Sequence, residues 1–294
     1  MNTTNKHINS LVNDIYRVVK EDQAADGVDI EVEIEKFGEA CKELMRNKFV
    51  TGRNFDGRKL RMSNIGRDPK YLWNRVNTDM TEDFQPHTLV KFMYGHLIEE
   101  MLLLLVRLSG HKVTDEQKVA HVGGIRGSMD CKIDDIVIDV KSTSTYGFKK
   151  FKEGTLAMDD PFGYLAQAKG YARSEGETKY GWLAMDKQNG HLCTLIYDEE
   201  DTQAPIYKHI NWDIEEHIEN IKKQVELVDP PSNCSEPVPD GKSGNLKLST
   251  KCSYCLYKTL CYQGLRAFSY YGGPKFLTKV VNEPRVQEIP LANL

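Results

Sequence analysis

Long apolar runs are missing from this 294-residue sequence: the longest, Met101 to Val106, is far too short to cross a bilayer. The opening residues, Met1 to Lys6, lack the apolar stretch of a secretory leader, which predicts a cytosolic chain. Cysteines are few and odd in number, seven in all. In the cytosol they read as thiols or metal ligands, not as a disulfide framework. Excess positive charge is also missing. The formal net charge is −4, so any contact with nucleic acid has to come from a local basic surface. No repeat or low-complexity tract is visible, and a composition with 40% apolar and 28% charged residues can fill a sizeable core.

What is present is a change of pattern along the chain. Ile8, Leu11, Val12, Ile15, Val18 and Val19 recur at helical spacing, and a second such stretch runs from Val32 to Phe49. A Gly- and Arg-rich loop, Thr51 to Arg67, leads to the aromatic segment Tyr71-Leu72-Trp73. A strongly apolar helix from His87 to Leu108 stops at Ser109-Gly110. Strands are expected at Val113 to Val122, Gly127 to Ile133 and Ile136 to Ser142. Asp159-Asp160-Pro161 reads as an N-cap with proline in the first turn, opening a helix to Ser174. Two more strands, Tyr180 to Met185 and His191 to Tyr197, flank the turn Gln188-Asn189-Gly190, and Asp213 to Leu227 is an amphipathic helix. The remainder, rich in Pro, Gly, Ser and Cys, reads as irregular. This order predicts an α/β fold, a mixed β-sheet flanked by helices.

The segment from Gly127 to Ser142 carries the chemistry. If Asp134-Asp135 is a two-residue turn, Ile133 faces Ile136, Cys131 faces Ile138, and Asp130 lies opposite Asp139. Lys141 shares their face, while Met129, Cys131, Ile133, Ile138 and Val140 point into the core. Directly opposed like charges are unfavourable, so the pair implies a cation between them, most simply a divalent ion with oxygen ligands. Lys141 beside it can orient or deprotonate a water.

Asp130 followed by Asp139-x-Lys141 resembles the PD-(D/E)xK nuclease signature, with Met129 in place of the proline. The preceding helix offers Tyr94-Gly95-His96 and then Glu99-Glu100, and the following one holds Gln167 and Tyr171, which look like the QxxxY motif of the RecB-type branch. The resemblance implies a restriction-endonuclease-like core and metal-dependent hydrolysis of DNA. Asp130, Asp139 and the Val140 carbonyl would hold Mg²⁺ or Mn²⁺, and Glu99, preferred to Glu100 as the acid four residues after Gly95, would complete the site. Lys141 would position the attacking water, and Gln167 and Tyr171 would contact the strand near the scissile phosphate. His96 is one turn from both glutamates; the resemblance implies a histidine on this helix that can approach the metal, but its spacing here reads at least equally as a core or outer-sphere histidine.

Cys252, Cys255 and Cys261 form C-x2-C-x5-C, with Cys234 upstream. Four cysteines in a stretch with little apolar content imply that metal coordination supplies its order. Zinc and a 4Fe–4S cluster both accept four thiolates. The pattern resembles the iron–sulfur staple of AddB and the CRISPR adaptation nucleases, in which the first cysteine lies upstream of the core. Here Asp68 stands in that place, so Cys234 is the expected fourth ligand, with Asp68 and Cys41 as substitutes. Cys131 and Cys193 alternate with apolar strand residues and read as buried.

Basic residues interleaved with aromatics suit a DNA single strand. They concentrate at Arg53, Arg58, Lys59, Arg61, Arg67, Lys70 and Arg75, and again at Lys149, Lys150 and Lys152. The sequence therefore divides into an N-terminal helical segment (1–59), a nuclease core (60–228) and a C-terminal cysteine-rich, metal-bound segment (229–294). The function expected is that of an exonuclease on DNA ends or single strands, most similar to phage-encoded enzymes of recombination or replication. The alternatives are a non-catalytic DNA-binding or assembly module and a site-specific endonuclease.

Overall fold

The computed structural model describes residues 6–51, 58–80, 85–232 and 235–291. Helices come first: α1 (Leu11–Glu21), α2 (Ile30–Arg46), α3 (Pro69–Asn77) and α4 (Pro86–Leu108). Their starts follow local chemistry. The Asp29 carboxylate accepts from the Val32 N–H at 3.3 Å, and Asp68 caps α3 by accepting from the Lys70 N–H at 3.2 Å, with Pro69 in the first turn. The end of α4 falls where the sequence places it, with Gly110 in the left-handed region at φ +81°. No helix among the described residues is long and apolar enough to cross a membrane.

The strands are β1 (Val113–Thr114), β2 (Val119–Val122), β3 (Ile125–Ser128), β4 (Cys131–Ile133), β5 (Ile136–Thr143), β6 (Lys179–Asp186) and β7 (Leu192–Asp198). A mixed sheet of order β1-β4-β5-β6-β7 forms, in which β5 and β6 are parallel and the other neighbours antiparallel. Parallel neighbours need a long crossover. Here it contains α5 (Thr145–Lys152) and α6 (Tyr164–Glu175). The continuous strands expected at 113–122 and 127–133 are each broken in two, and β2 and β3 make a ribbon of their own. The second break has a visible cause: the Met129 N–H donates to the Lys118 carbonyl and the Gln117 N–H to the Asp130 carbonyl, both at 3.0 Å. Alternation is reset there. Met129 therefore packs with Val122, Ile125 and Tyr171, and not with Cys131 as the sequence pattern suggested.

Each face of the sheet has its own core. On one side Leu11 and Ile15 of α1 and Leu102, Leu103 and Val106 of α4 cover Cys131, Ile133, Ile138, Val140 and Leu183. On the other, α6 and α8 (Ile214–Val225, after the short α7, Tyr207–Ile210) pack with Val137, Tyr180 and Trp182. Because β5 alternates, Asp139 and Lys141 fall on the Val137 side, toward α6.

The C-terminal stretch is not irregular. After the helical turns α9 (Thr250–Ser253) and α10 (Lys258–Cys261), the hairpin β10 (Arg266–Tyr270) and β11 (Gly273–Lys279) centres an antiparallel sheet. It is completed by β8 (Val238–Pro239), β9 (Leu246–Lys247) and β12 (Glu288–Ile289). Leu248, Cys252, Leu265, Ala267 and Phe276 form its core. This corrects the expectation of an irregular segment: its apolar residues are sparse, but β pairing gathers them into a core.

One crossing fixes the geometry near the site. Gly66, in the loop before α3, meets Gly163, at the start of α6, so closely that a Cβ on Gly163 would lie 2.5 Å from the Gly66 Cα. Gly163 is also left-handed, at φ +80°. Gly163→Ala therefore meets both a strained backbone and a collision, whereas Gly176→Ala, at φ +71° with open space, meets only the strain of about 1–2 kcal/mol. Thermal melts should show the larger loss for Gly163→Ala, by about 5 °C or more, against about 2–4 °C per kcal/mol for a chain of this size. Equal losses would contradict the close approach.

Candidate active site

The β4–β5 hairpin turns at Asp134 and Asp135, both left-handed at φ +49° and +67°, as a tight primed turn requires. The turn is held from outside. His111 Nδ1 lies 2.6 Å from Asp134 Oδ2, and Asp134 Oδ1 accepts from the Lys112 N–H at 3.1 Å. Register follows: Ile133 pairs with Ile136, Lys132 with Val137 and Cys131 with Ile138. The ladder stops there, and Asp130 takes over the next position with its side chain. Its Oδ2 accepts the Val140 N–H at 2.8 Å.

Asp139 is 1% exposed. Both of its carboxylate oxygens are buried. Lys141 Nζ forms an ion pair with Asp139 Oδ2 at 2.6 Å. Burial, followed by the charge of Asp139, pushes the Asp130 carboxyl well above the ordinary carboxylate range, against the pull of Lys141. Burial and the charge of Glu99 raise Asp139 as well, opposed by Lys141 and by a hydrogen bond with Asp130. Ionisation of either acid is thus opposed by its burial and by neighbouring negative charge. For Lys141, burial favours the neutral amine, but Asp139 and Asp130 outweigh it and the pKa rises.

Glu99 and Glu100 are separated by their surroundings. Gly95 of α4 lies beside β5, where a Cβ would make an ordinary 3.6 Å contact with Ser142 Oγ. One turn on, Glu99 acts on both Asp130 and Asp139, and its Oε1 accepts from Gln117 Nε2 at 3.1 Å. Glu100 faces Cys41, Glu116 and Arg107, and its carboxyl is raised by burial and then by Glu99. His96 Nδ1 stands 3.8 Å from Glu99 Oε2 and is half exposed, so it is not a core histidine.

A hard divalent cation suits part of this donor set. The neighbouring carboxylates of Asp130 and Asp139, both disfavoured as lone anions, fit it. The Val140 carbonyl fits as well, because an extended residue sends its N–H and C=O to the same edge, here the edge of Asp130. Glu99 acts on the pair from a distance: among the described residues no group of three Asp, Glu, His or Cys side chains is gathered closely enough to hold a metal ion.

Gln167 and Tyr171 lie on the α6 face turned toward the acids and are buried, not on the helix surface. Gln167 Nε2 donates to the Tyr171 hydroxyl at 3.4 Å. Gly127 makes room for the ring, and burial pushes the phenol up to about 12. Two neighbours escaped the sequence pattern. The Tyr164 ring lies 5.3 Å from Lys141 Nζ. Asp160 caps α6 from three residues before Gly163, accepting from the Gly163 and Leu165 N–H groups at 2.9 and 2.8 Å. The helix therefore opens at Tyr164, later than Asp159-Asp160-Pro161 implied, because left-handed Gly163 folds the chain back onto Asp160. The signal was the Asp-Pro-Phe-Gly-Tyr run itself.

Cys252, Cys255 and Cys261 line one small cavity of about 30 Å³ together with Arg67, Asp68, Tyr71 and Ser235. Cys252 and Cys255 are in no disulfide. Burial pushes the Cys255 thiol up to about 11, against the pull of Arg67. Cys234 lies outside the described residues, next to Ser235. Asp68 lines the same cavity, although one of its oxygens caps α3, whereas Cys41 sits on α2 beside Glu100. Cys131 is fully buried and Cys193 half-buried, its thiol raised to about 11 by burial.

Much of the expected basic surface is engaged within the fold. Arg75 is buried and donates to the Tyr71 hydroxyl at 3.2 Å, Arg67 stacks on Tyr71, and Arg58 pairs with Asp79. Lys150 pairs with Asp159, and Lys149 lies 3.6 Å from Glu153. Arg53 lies outside the described residues.

No family model matches the chain, and no curated protein matches it by sequence. Solved structures do. An alkaline exonuclease from Laribacter hongkongensis, LHK-Exo, shares 14% identity over 55% of this chain and 91% of its own, with a TM-score of 0.34. The complex of LHK-Exo with dAMP shares 14% identity over 58% of this chain and 91% of its own, with a TM-score of 0.38. SSO0001 shares 14% identity over 78% of this chain and 96% of its own, at 0.37. These likenesses are distant, so the chemistry of the site has to be read from its own side chains.

Asp130→Asn removes one of two buried like charges and should raise the melting temperature of metal-free protein at about pH 8, by about 2–4 °C for each kcal/mol relieved. The sign follows from the raised carboxyl. Wild type loses stability as pH rises through that pKa and the variant does not, so the gain should shrink toward about pH 4. A well-folded variant with an unchanged or lower melting temperature at high pH would contradict the buried repulsion.

Proposed function

We propose that this chain is a metal-dependent deoxyribonuclease of the PD-(D/E)xK type, hydrolysing phosphodiester bonds at DNA ends or in single strands. The observation that carries the reading is the pair of half-buried Asp130 and buried Asp139, brought together across a hairpin with Lys141 beside them. Two neighbouring acids that each raise the other's cost of ionisation are arranged for a cation, not for stability.

Asp130, Asp139 and the Val140 carbonyl would hold Mg²⁺ or Mn²⁺, with Glu99 completing the set directly or through water. When bound, the ion supplies positive charge at the phosphate and acidifies a water. Lys141, paired with Asp139, would orient the attacking water or a phosphate oxygen. Tyr164 limits where its ammonium can lie. Gln167 and Tyr171 stiffen the wall behind the carboxylates. The same reading assigns Cys252, Cys255, Cys261 and Cys234 to a structural 4Fe–4S cluster, or to zinc in its place, clamping the C-terminal segment against Asp68 and Tyr71.

Lys141→Ala should reduce Mg²⁺-dependent cleavage at least about 100-fold while metal-free DNA binding persists. Turnover at the wild-type rate would remove Lys141 from the mechanism. With wild type, loss of linear but not closed circular DNA supports the exonuclease, and cutting of circles points to an endonuclease. Binding without any cutting would make the chain a DNA-binding module.

Cys255→Ser should lower the melting temperature of anaerobically prepared protein before it alters chemistry. Absorption in the visible blue identifies iron, and a colourless zinc-containing sample identifies zinc. An unchanged melt in a metal-free wild type would contradict the cluster.

A further inference from the structure

A row of aromatic rings leads away from the carboxylate pair, and its exposure rises outward. It begins at Tyr164, whose ring lies 5.3 Å from Lys141 Nζ. Phe162 follows, with its ring centroid 5.7 Å from that of Tyr164 and the two planes inclined by 34°. Tyr254 is next, its ring 5.8 Å from that of Phe162 and edge-on to it, with the planes inclined by 61°. Tyr164 and Phe162 are half-buried, whereas Tyr254 is 71% exposed. Arg67 runs alongside, with its guanidinium 5.9 Å from the Phe162 ring and 4.4 Å from Tyr71.

A single exposed tyrosine needs no explanation. A continuous row that ends at a buried acid–lysine pocket is different, because each ring offers the next step to a planar ligand. The anchoring is also specific. Tyr254 is one of the two residues between Cys252 and Cys255, so the cysteine segment holds it against Phe162. The backbone approach of Gly66 to Gly163 sets Arg67 and Tyr164 on either side of one crossing. Positive charge accompanies the rings: Arg67 and the exposed Lys251 both line the adjoining cavity.

We propose that Tyr164, Phe162 and Tyr254, with Arg67 beside them, form a base-stacking track that carries a DNA single strand between the Asp130–Asp139 pocket and the surface of the cysteine segment. The ligand is single-stranded because bases in a duplex already cover one another's faces, and stacked aromatics with a basic edge are what unpaired bases and their phosphates bind. The identity of the pocket at the inner end rests on the nuclease reading; the track rests on the rings.

The test compares wild type, Tyr254→Ala and Tyr254→Trp by fluorescence anisotropy in EDTA, using a labelled oligothymidylate and an abasic oligonucleotide of equal length. Tyr254→Ala should weaken oligothymidylate binding about tenfold, leave abasic binding unchanged and keep the wild-type melting temperature, while Tyr254→Trp retains affinity. Equal affinity of Tyr254→Ala and wild type for both ligands, or an equal loss on both, overturns the track. Hydrolysis of bis(p-nitrophenyl) phosphate with Mn²⁺ by wild type reads the pocket separately. Turnover with base-independent binding refutes the track alone. Base-dependent binding through Tyr254 without turnover refutes the nuclease and leaves the track. Loss of both overturns both.

Discussion

Two carboxylates of like charge, buried opposite each other and only partly offset by one ammonium, are the constraint around which this molecule is arranged. Nothing in the folding of the sheet requires them there. The pairing of β4 and β5 ends at Cys131 and Ile138, and the Asp130 side chain then takes a main-chain N–H that the ladder leaves unpaired. That hydrogen bond fixes Asp130 against β5. The repulsion from Asp139 is therefore built in, since neither acid can swing away without losing it or the Lys141 ion pair.

Much of the surrounding architecture keeps this arrangement in place. The turn at Asp134 and Asp135 sets the register, and the contact of His111 with Asp134 ties the turn to the end of α4. Asp14 of α1 meets the other nitrogen of the same ring at 3.1 Å, so the N-terminal helix is secured to the hairpin as well as to the core beneath it. On the opposite face, Gly127 and the Gly66–Gly163 crossing let Tyr171 and Tyr164 approach the acids. Small residues serve here as gaps through which larger ones reach the site.

The sequence made the site more legible than the boundaries of the fold. Alternation along Ile136 to Lys141 and a two-residue acidic turn were enough to place Asp130 against Asp139, because side-chain direction in a strand has a period of two. The helix that offers Glu99 was visible in its apolar length and its terminal glycine. The break at Met129 was not, since it depends on main-chain bonds from Gln117 and Met129 to partners on the other side of the break. Nor was the C-terminal sheet, whose strands are short, polar outside and separated by Gly-Gly. The engagement of Arg67 and Arg75 by Tyr71 was also hidden. A basic residue in a sequence carries no mark of whether an aromatic ring will meet it in space.

The central claim, that the Asp130–Asp139 pair exists to bind a divalent cation, is tested most directly by following Mn²⁺ binding to metal-free protein by electron paramagnetic resonance. Wild type should show a saturable Mn²⁺ site, and Asp139→Asn, folded to the same melting profile, should lose it. Absence of a saturable site in wild type, or an unaltered one in Asp139→Asn, would contradict the account.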